Sequence, residues 1–136
     1  MKKTKALSIL RLVAVVATLV FEILPCGAVC VFATPEERMV RYYSYFSLVP
    51  YGYANFAPLI TAILTCVLLI LTVISFFRAG DRVKKSVLWV SVLAAGISLC
   101  PLLLGIRFFS VVGAIISALL FSAVALNILC RRCDNA

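Results

Sequence analysis

FAPLITAILTCVLLILTVISFF, residues Phe56 to Phe77, is an apolar run of 22 residues without a charge. At ~1.5 Å rise per residue, a helix of that length reaches about 33 Å, enough to cross a hydrocarbon layer of roughly 30 Å. Lipid offers no partner to a bare backbone N–H or C=O, so such a segment crosses only as a helix that satisfies itself. Three comparable apolar runs surround it. The sequence therefore predicts an all-α fold, a four-helix transmembrane bundle with spans at about 8–33, 56–77, 86–106 and 108–130. Gly105-Ile106-Arg107 is so short a connection that spans three and four should form an antiparallel hairpin. The 136 residues make a single four-span membrane domain, with 34–55 as its outer loop.

Composition points the same way. The chain is 65% hydrophobic and 13% charged, with a mean hydropathy of +1.18. Soluble domains run about 45–50% apolar and about 25% charged. A net charge of +8 would imply nucleic acid in a soluble chain, but here the cations stand at the ends of apolar runs, where they set topology. No nucleic-acid partner is expected; the partner is the lipid bilayer. Most of the six cysteines fall within or beside the apolar runs, where a free thiol packs as a small hydrophobe. Cys26, Cys30 and Cys100 all lie toward the outer face, which leaves a disulfide there as an alternative.

MKKTK opens the chain with three lysines. A secretory signal begins this way, and Val31 and Ala33 would suit cleavage before Thr34. The apolar run from Leu12 to Ala33 is longer than an h-region of roughly 7–15 residues, and Glu22 interrupts it. A retained first helix is expected. Pro25 should bend or end it, with Cys26–Ala33 continuing outward.

The outer loop holds all five tyrosines. Tyr42, Tyr43, Tyr45, Tyr51 and Tyr53 have amphipathic rings suited to the headgroup layer, and are the candidate outer-surface contacts. Met39–Leu48 should lie on the membrane as a short helix or an extended piece. Asn55 is the expected N-cap of the second span, with Pro58 in its first turn.

Lys2, Lys3, Lys5, Arg11, Arg78, Arg82, Lys84, Lys85, Arg131 and Arg132 fall on one side of the spans; Arg38, Arg41 and Arg107 fall on the other. Excess Lys and Arg mark the cytoplasmic side. A multi-pass protein of the cell membrane with N- and C-termini cytoplasmic is expected.

Small residues let helices approach in lipid. Span four carries Ser110, Ala114, Ala118 and Ser122 as an every-fourth ladder; span three offers Ser91, Ala94, Ala95 and Ser98; span two offers Thr61, Thr65, Thr72 and Ser75. Each stripe is expected to face into the bundle. The alternative for the span-four ladder is a homodimer; a membrane-protein partner is a separate expectation.

Glu22 is the acidic residue inside a span, and a carboxylate there must be neutral, paired or near the interface. It recurs with Arg11, Val15 and Thr18 at helical spacing. Arg107 is the expected partner, or a loop tyrosine. The alternative is a protonatable cation site: one glutamate in the first of four helices resembles the small multidrug exporters, although those are shorter and lack this aromatic loop. Cys130-Arg-Arg-Cys133 resembles the C-x-x-C of four-span quinone-linked thiol oxidoreductases, but stands at a helix C-terminus, where the dipole does not favour thiolate. A metal site is not expected from two thiols.

FEILPCGAVCVFATPEE…YYSYFSLVPYGYANFAPLITAILTCVLLIL resembles small four-span membrane proteins of unassigned function from Gram-positive bacteria. The resemblance covers spans one and two and the outer loop, and implies no activity. With no histidine, no Gly-rich phosphate loop and no clustered carboxylates, neither an enzyme nor a cofactor is expected. The leading expectation is an accessory or interaction role through the aromatic loop. The alternatives are a transporter of small molecules or ions using Glu22, and a membrane thiol-redox protein.

Overall fold

Proline decides where the first helix stops. In a computed structural model, which describes residues 2–33, 35–52, 55–78 and 80–135, α1 (Lys2–Ile23) ends just ahead of Pro25. Proline has no N–H to continue the ladder, and its ring crowds the carbonyl one turn back. The chain then turns into β1 (Ala28–Ala33), AVCVFA, which pairs antiparallel with β2 (Arg38–Tyr43), RMVRYY, from Ala28 opposite Tyr43 to Ala33 opposite Arg38. This corrects the all-α expectation and shortens the first span, which was expected to run to Ala33. β-Branched and aromatic side chains such as Val29, Val31, Val40 and Tyr42 favour the pleat. An apolar run alone did not separate strand from helix.

A short helix α2 (Leu48–Gly52) leads to α3 (Ala57–Phe77). Pro58 sits in the first turn of α3 as expected, but Phe56 takes the cap position without a side-chain bond. Asn55 does not cap; its amide donates instead to Val29 O at 3.3 Å, tying the hairpin to the start of α3.

α4 (Asp81–Ser98) breaks at Leu99 and resumes as α5 (Cys100–Leu104), with Pro101 in the first turn. Gly105 follows at φ 127°, ψ 152°, a conformation that costs a side-chain-bearing residue about 1–3 kcal/mol. Gly105→Ala should lower the unfolding free energy in detergent by that amount, and an unchanged melting curve would contradict the assignment. A 3₁₀ turn (Ile106–Phe108) then leads into α6 (Val111–Asn135), which continues past Cys130 through Arg131, Arg132 and Cys133.

α1 packs on α6, α6 on α4, α4 on α3, and α3 back on α1, closing a ring. Among the described residues four stretches are long and apolar enough to cross a membrane: Lys3–Ile23, Ala57–Phe77, Asp81–Leu104 and Val111–Asn135. The N-terminal turns of α1, the α3–α4 turn and the end of α6 share one end of the bundle, where Lys84 and Asp134 pair at 2.7 Å. The hairpin occupies the other end. Val15, Leu68, Val87, Ile116 and Leu120 fill the axis, while Phe77, Trp89 and Leu103 stand exposed outside. Such apolar exteriors suit helices long and apolar enough to cross a membrane.

Thr61, Thr65 and Thr72 of α3 and Ser91, Ala94, Ala95 and Ser98 of α4 are buried, the faces expected. α6 differs. Ala114, Ala118 and Ser122 face away from the ring and Ser110 is half-buried, so this ladder does not pack the bundle. The buried face is Gly113, Ile116, Ser117, Leu120, Ala123 and Asn127. Bulky Ile116 and Leu120 are needed to fill the axis, and Asn127 has to reach Arg11. Those demands set the rotation of α6.

Candidate functional site

Polar groups buried between apolar helices are costly unless they are hydrogen-bonded. The two ionisable side chains on the buried face of α1, Arg11 and Glu22, stand toward opposite ends of the bundle axis. Arg11, Val15, Thr18 and Glu22 form one buried stripe along α1, as their spacing predicts. Glu22 and Arg11 lie three turns apart on it and have separate partners.

At the hairpin end Glu22 is 0% exposed. Its Oε1 accepts from Thr65 Oγ1 at 2.8 Å, while Oε2 is buried without a partner among the described residues. Thr65 Oγ1 also lies 2.9 Å from Thr61 O, so one proton serves two acceptors. The carbonyl of Glu22 accepts the Tyr45 N–H at 3.0 Å, which closes the hairpin back onto α1. Arg107 is not brought to Glu22: it stands exposed on the 3₁₀ turn. The expected partner was charged, and the observed one is a neutral hydroxyl on α3.

Tyr45 is only 2% exposed, which corrects its place among the outer contacts. Its ring lies in a slot that two glycines leave open. A Cβ on Gly27 would come within 2.8 Å of the ring, and one on Gly113 within 3.1 Å of the hydroxyl. Ser110 seals the slot by donating to Gly27 O at 2.5 Å and accepting the Gly113 N–H at 2.9 Å. Burial pushes the Tyr45 hydroxyl well above the ordinary phenol range, and raises the Cys30 thiol in β1 likewise. Gly27→Ala forces the ring aside and should cost about 1–3 kcal/mol, read as an earlier unfolding transition. Of the other tyrosines, Tyr42 and Tyr51 are exposed and Tyr43 is half-buried. Tyr51 meets Phe56 edge-on at 4.9 Å. Tyr53 lies outside the described residues.

At the opposite end the buried centre is Arg11. Its Nη1 donates to Asn127 Oδ1 at 2.8 Å and its Nη2 to Ser75 Oγ at 2.7 Å. Asn127 Nδ2 donates on to Ser91 Oγ at 3.2 Å, and Ser75 returns its proton to Thr72 O at 2.7 Å. The guanidinium therefore joins α1 to α3 and α6, and Asn127 carries the network on to α4. The sequence places Arg11 among the topology-setting cations and on the stripe of Glu22, and nothing in it singles out Asn127 as a partner beyond its being the lone amide in the fourth apolar run.

All six cysteines are free, so Cys26, Cys30 and Cys100 are not joined. Of the C-x-x-C pair, Cys133 is exposed while Cys130 is buried, with its sulfur 4.0 Å from Ser8 Oγ. Comparison with protein-family models, curated proteins and solved structures gives no match to this chain.

Proposed function

We propose that this chain is a multi-pass protein of the cell membrane that acts as an interaction partner rather than as an enzyme, with its hairpin displayed on the outer face. The excess of Lys and Arg at the end holding both termini supports a cytoplasmic place for that end. The observation that carries the reading is the state of β2. Among the described residues it pairs with β1 alone, and Arg38 through Tyr42 are exposed on both of its faces. The rest of the hairpin is anchored by Asn55, Ser110 and the Tyr45 slot. A rigid, one-sided edge strand offers main-chain groups to an extended segment of another protein, while Arg41 and Tyr42 supply side-chain selectivity.

A photocrosslinking residue at Tyr42, compared with one at Leu103 on the apolar exterior, tests this in native membranes. A discrete protein adduct at Tyr42 and lipid adducts alone at Leu103 are expected. Lipid adducts alone at both positions would refute a protein-binding role for the hairpin.

The second reading, transport coupled to Glu22, is favoured by the one unpartnered carboxylate oxygen at that residue. Glu22→Gln keeps the shape and the bond from Thr65 while removing the ionisable proton. Under this reading the variant loses proton-coupled cation uptake in vesicles while folding normally. Uptake equal to the parent chain would reject it.

A further inference from the structure

Arg11 is a cation buried to 5% exposure whose bonded partners, Asn127 and Ser75, are both neutral. Its Nε is also buried and has no partner among the described residues. An ion bonded only to neutral groups in this setting is expensive, and arginine inside a span characteristically marks a functional site. Arg11 opens onto a cavity of about 130 Å³ at the end of the bundle that holds the termini. A water needs roughly 10–15 Å³ of such space, so the cavity exceeds what a single water needs.

The cavity is lined by Thr4, Ser8 and Arg11 of α1, Lys84 of α4, and Arg131 and Asp134 of α6, among others. Asp134 is engaged by Lys84 at 2.7 Å. Three cations against one carboxylate leave a net charge of +2 around the cavity. The hydroxyls of Thr4 and Ser8 add neutral donors. A monatomic anion would use few of these groups; a doubly charged oxyanion matches both the charge and the number of donors.

We propose that this cavity binds a phosphate dianion, with Arg11 at its base and Arg131 and Lys84 at its rim. The phosphate comes either from free phosphate or from the phosphomonoester headgroup of a lipid. Bound there, it adds counter-charge beside Arg11 beyond what the Asp134 carboxylate, held by Lys84, supplies, and clamps α1 to α4 and α6. This site does not rest on the role of the hairpin.

The test uses the full chain in phosphatidylcholine nanodiscs. In one arm inorganic phosphate is titrated against chloride at constant ionic strength. In the other, phosphatidic acid replaces part of the phosphatidylcholine. A saturable rise in melting temperature is expected in at least one arm; a rise with inorganic phosphate alone assigns the free anion, and with phosphatidic acid alone the headgroup. Arg11 also joins three helices, so the diagnostic variant is Arg131→Gln at the rim. It should unfold like the parent chain without ligand, yet bind about tenfold more weakly in the responsive arm. No rise in either arm, or unchanged affinity in Arg131→Gln, would overturn the proposal.

Discussion

Asn127→Ala is expected to lower the unfolding free energy by about 2–4 kcal/mol, measured by equilibrium unfolding in mixed micelles. Asn127 Oδ1 accepts a charged bond from Arg11, and such bonds contribute about 1.5–3 kcal/mol. Its Nδ2 also holds Ser91 on α4, and side-chain bonds between membrane helices average about 0.6 kcal/mol. The truncation leaves the buried Arg11 guanidinium in place without this acceptor. Deleting both ends of such a contact costs less than deleting one. The double variant Arg11→Leu, Asn127→Leu should therefore be more stable than Asn127→Ala alone. A loss below about 0.5 kcal/mol for Asn127→Ala, the range of ordinary surface changes, would show that Arg11 draws its compensation elsewhere.

Tyr45→Ala is expected to cost about 3–5 kcal/mol, the range for removing a large buried aromatic side chain. The effect should be local as well as global. The ring fills the slot between Gly27 and Gly113, so its loss frees β1 from the start of α6. Amide exchange in residues 28–43 should then quicken more than in α3 or α4. Tyr42→Ala on the neighbouring strand provides the contrast: its side chain is exposed, and the expected change is within about 0.5 kcal/mol. Equal losses in the two variants would contradict the placement of Tyr45 in the core.

These two residues also show how far the sequence was legible. Tyr42 and Tyr45 look alike in a loop full of aromatics, and the amphipathic ring suits either headgroups or a packed slot. The difference lies in Gly27 and Gly113, which are far from Tyr45 in the chain and meet it only on folding. Glu22 was recognisable as a buried acid because no other acid interrupts a span. Its partner was not, because Thr65 is one of several hydroxyls on α3 and nothing local distinguishes it from Arg107 as a neighbour.

The four helices themselves were decided by the chain alone. Apolar runs of that length and the absence of backbone partners in lipid leave one solution, and the hydroxyl faces of α3 and α4 follow from helical periodicity. Tertiary structure decided the rest. Pro25 could end a helix, but pairing with β2 was needed to make Ala28–Ala33 a strand, since an isolated apolar stretch satisfies either geometry. The ladder on α6 was equally regular on paper, and packing turned it outward because Ile116, Leu120 and Asn127 had stronger claims on the interior. Local pattern sets which element can form; long-range contact sets which face it shows and which polar group meets which.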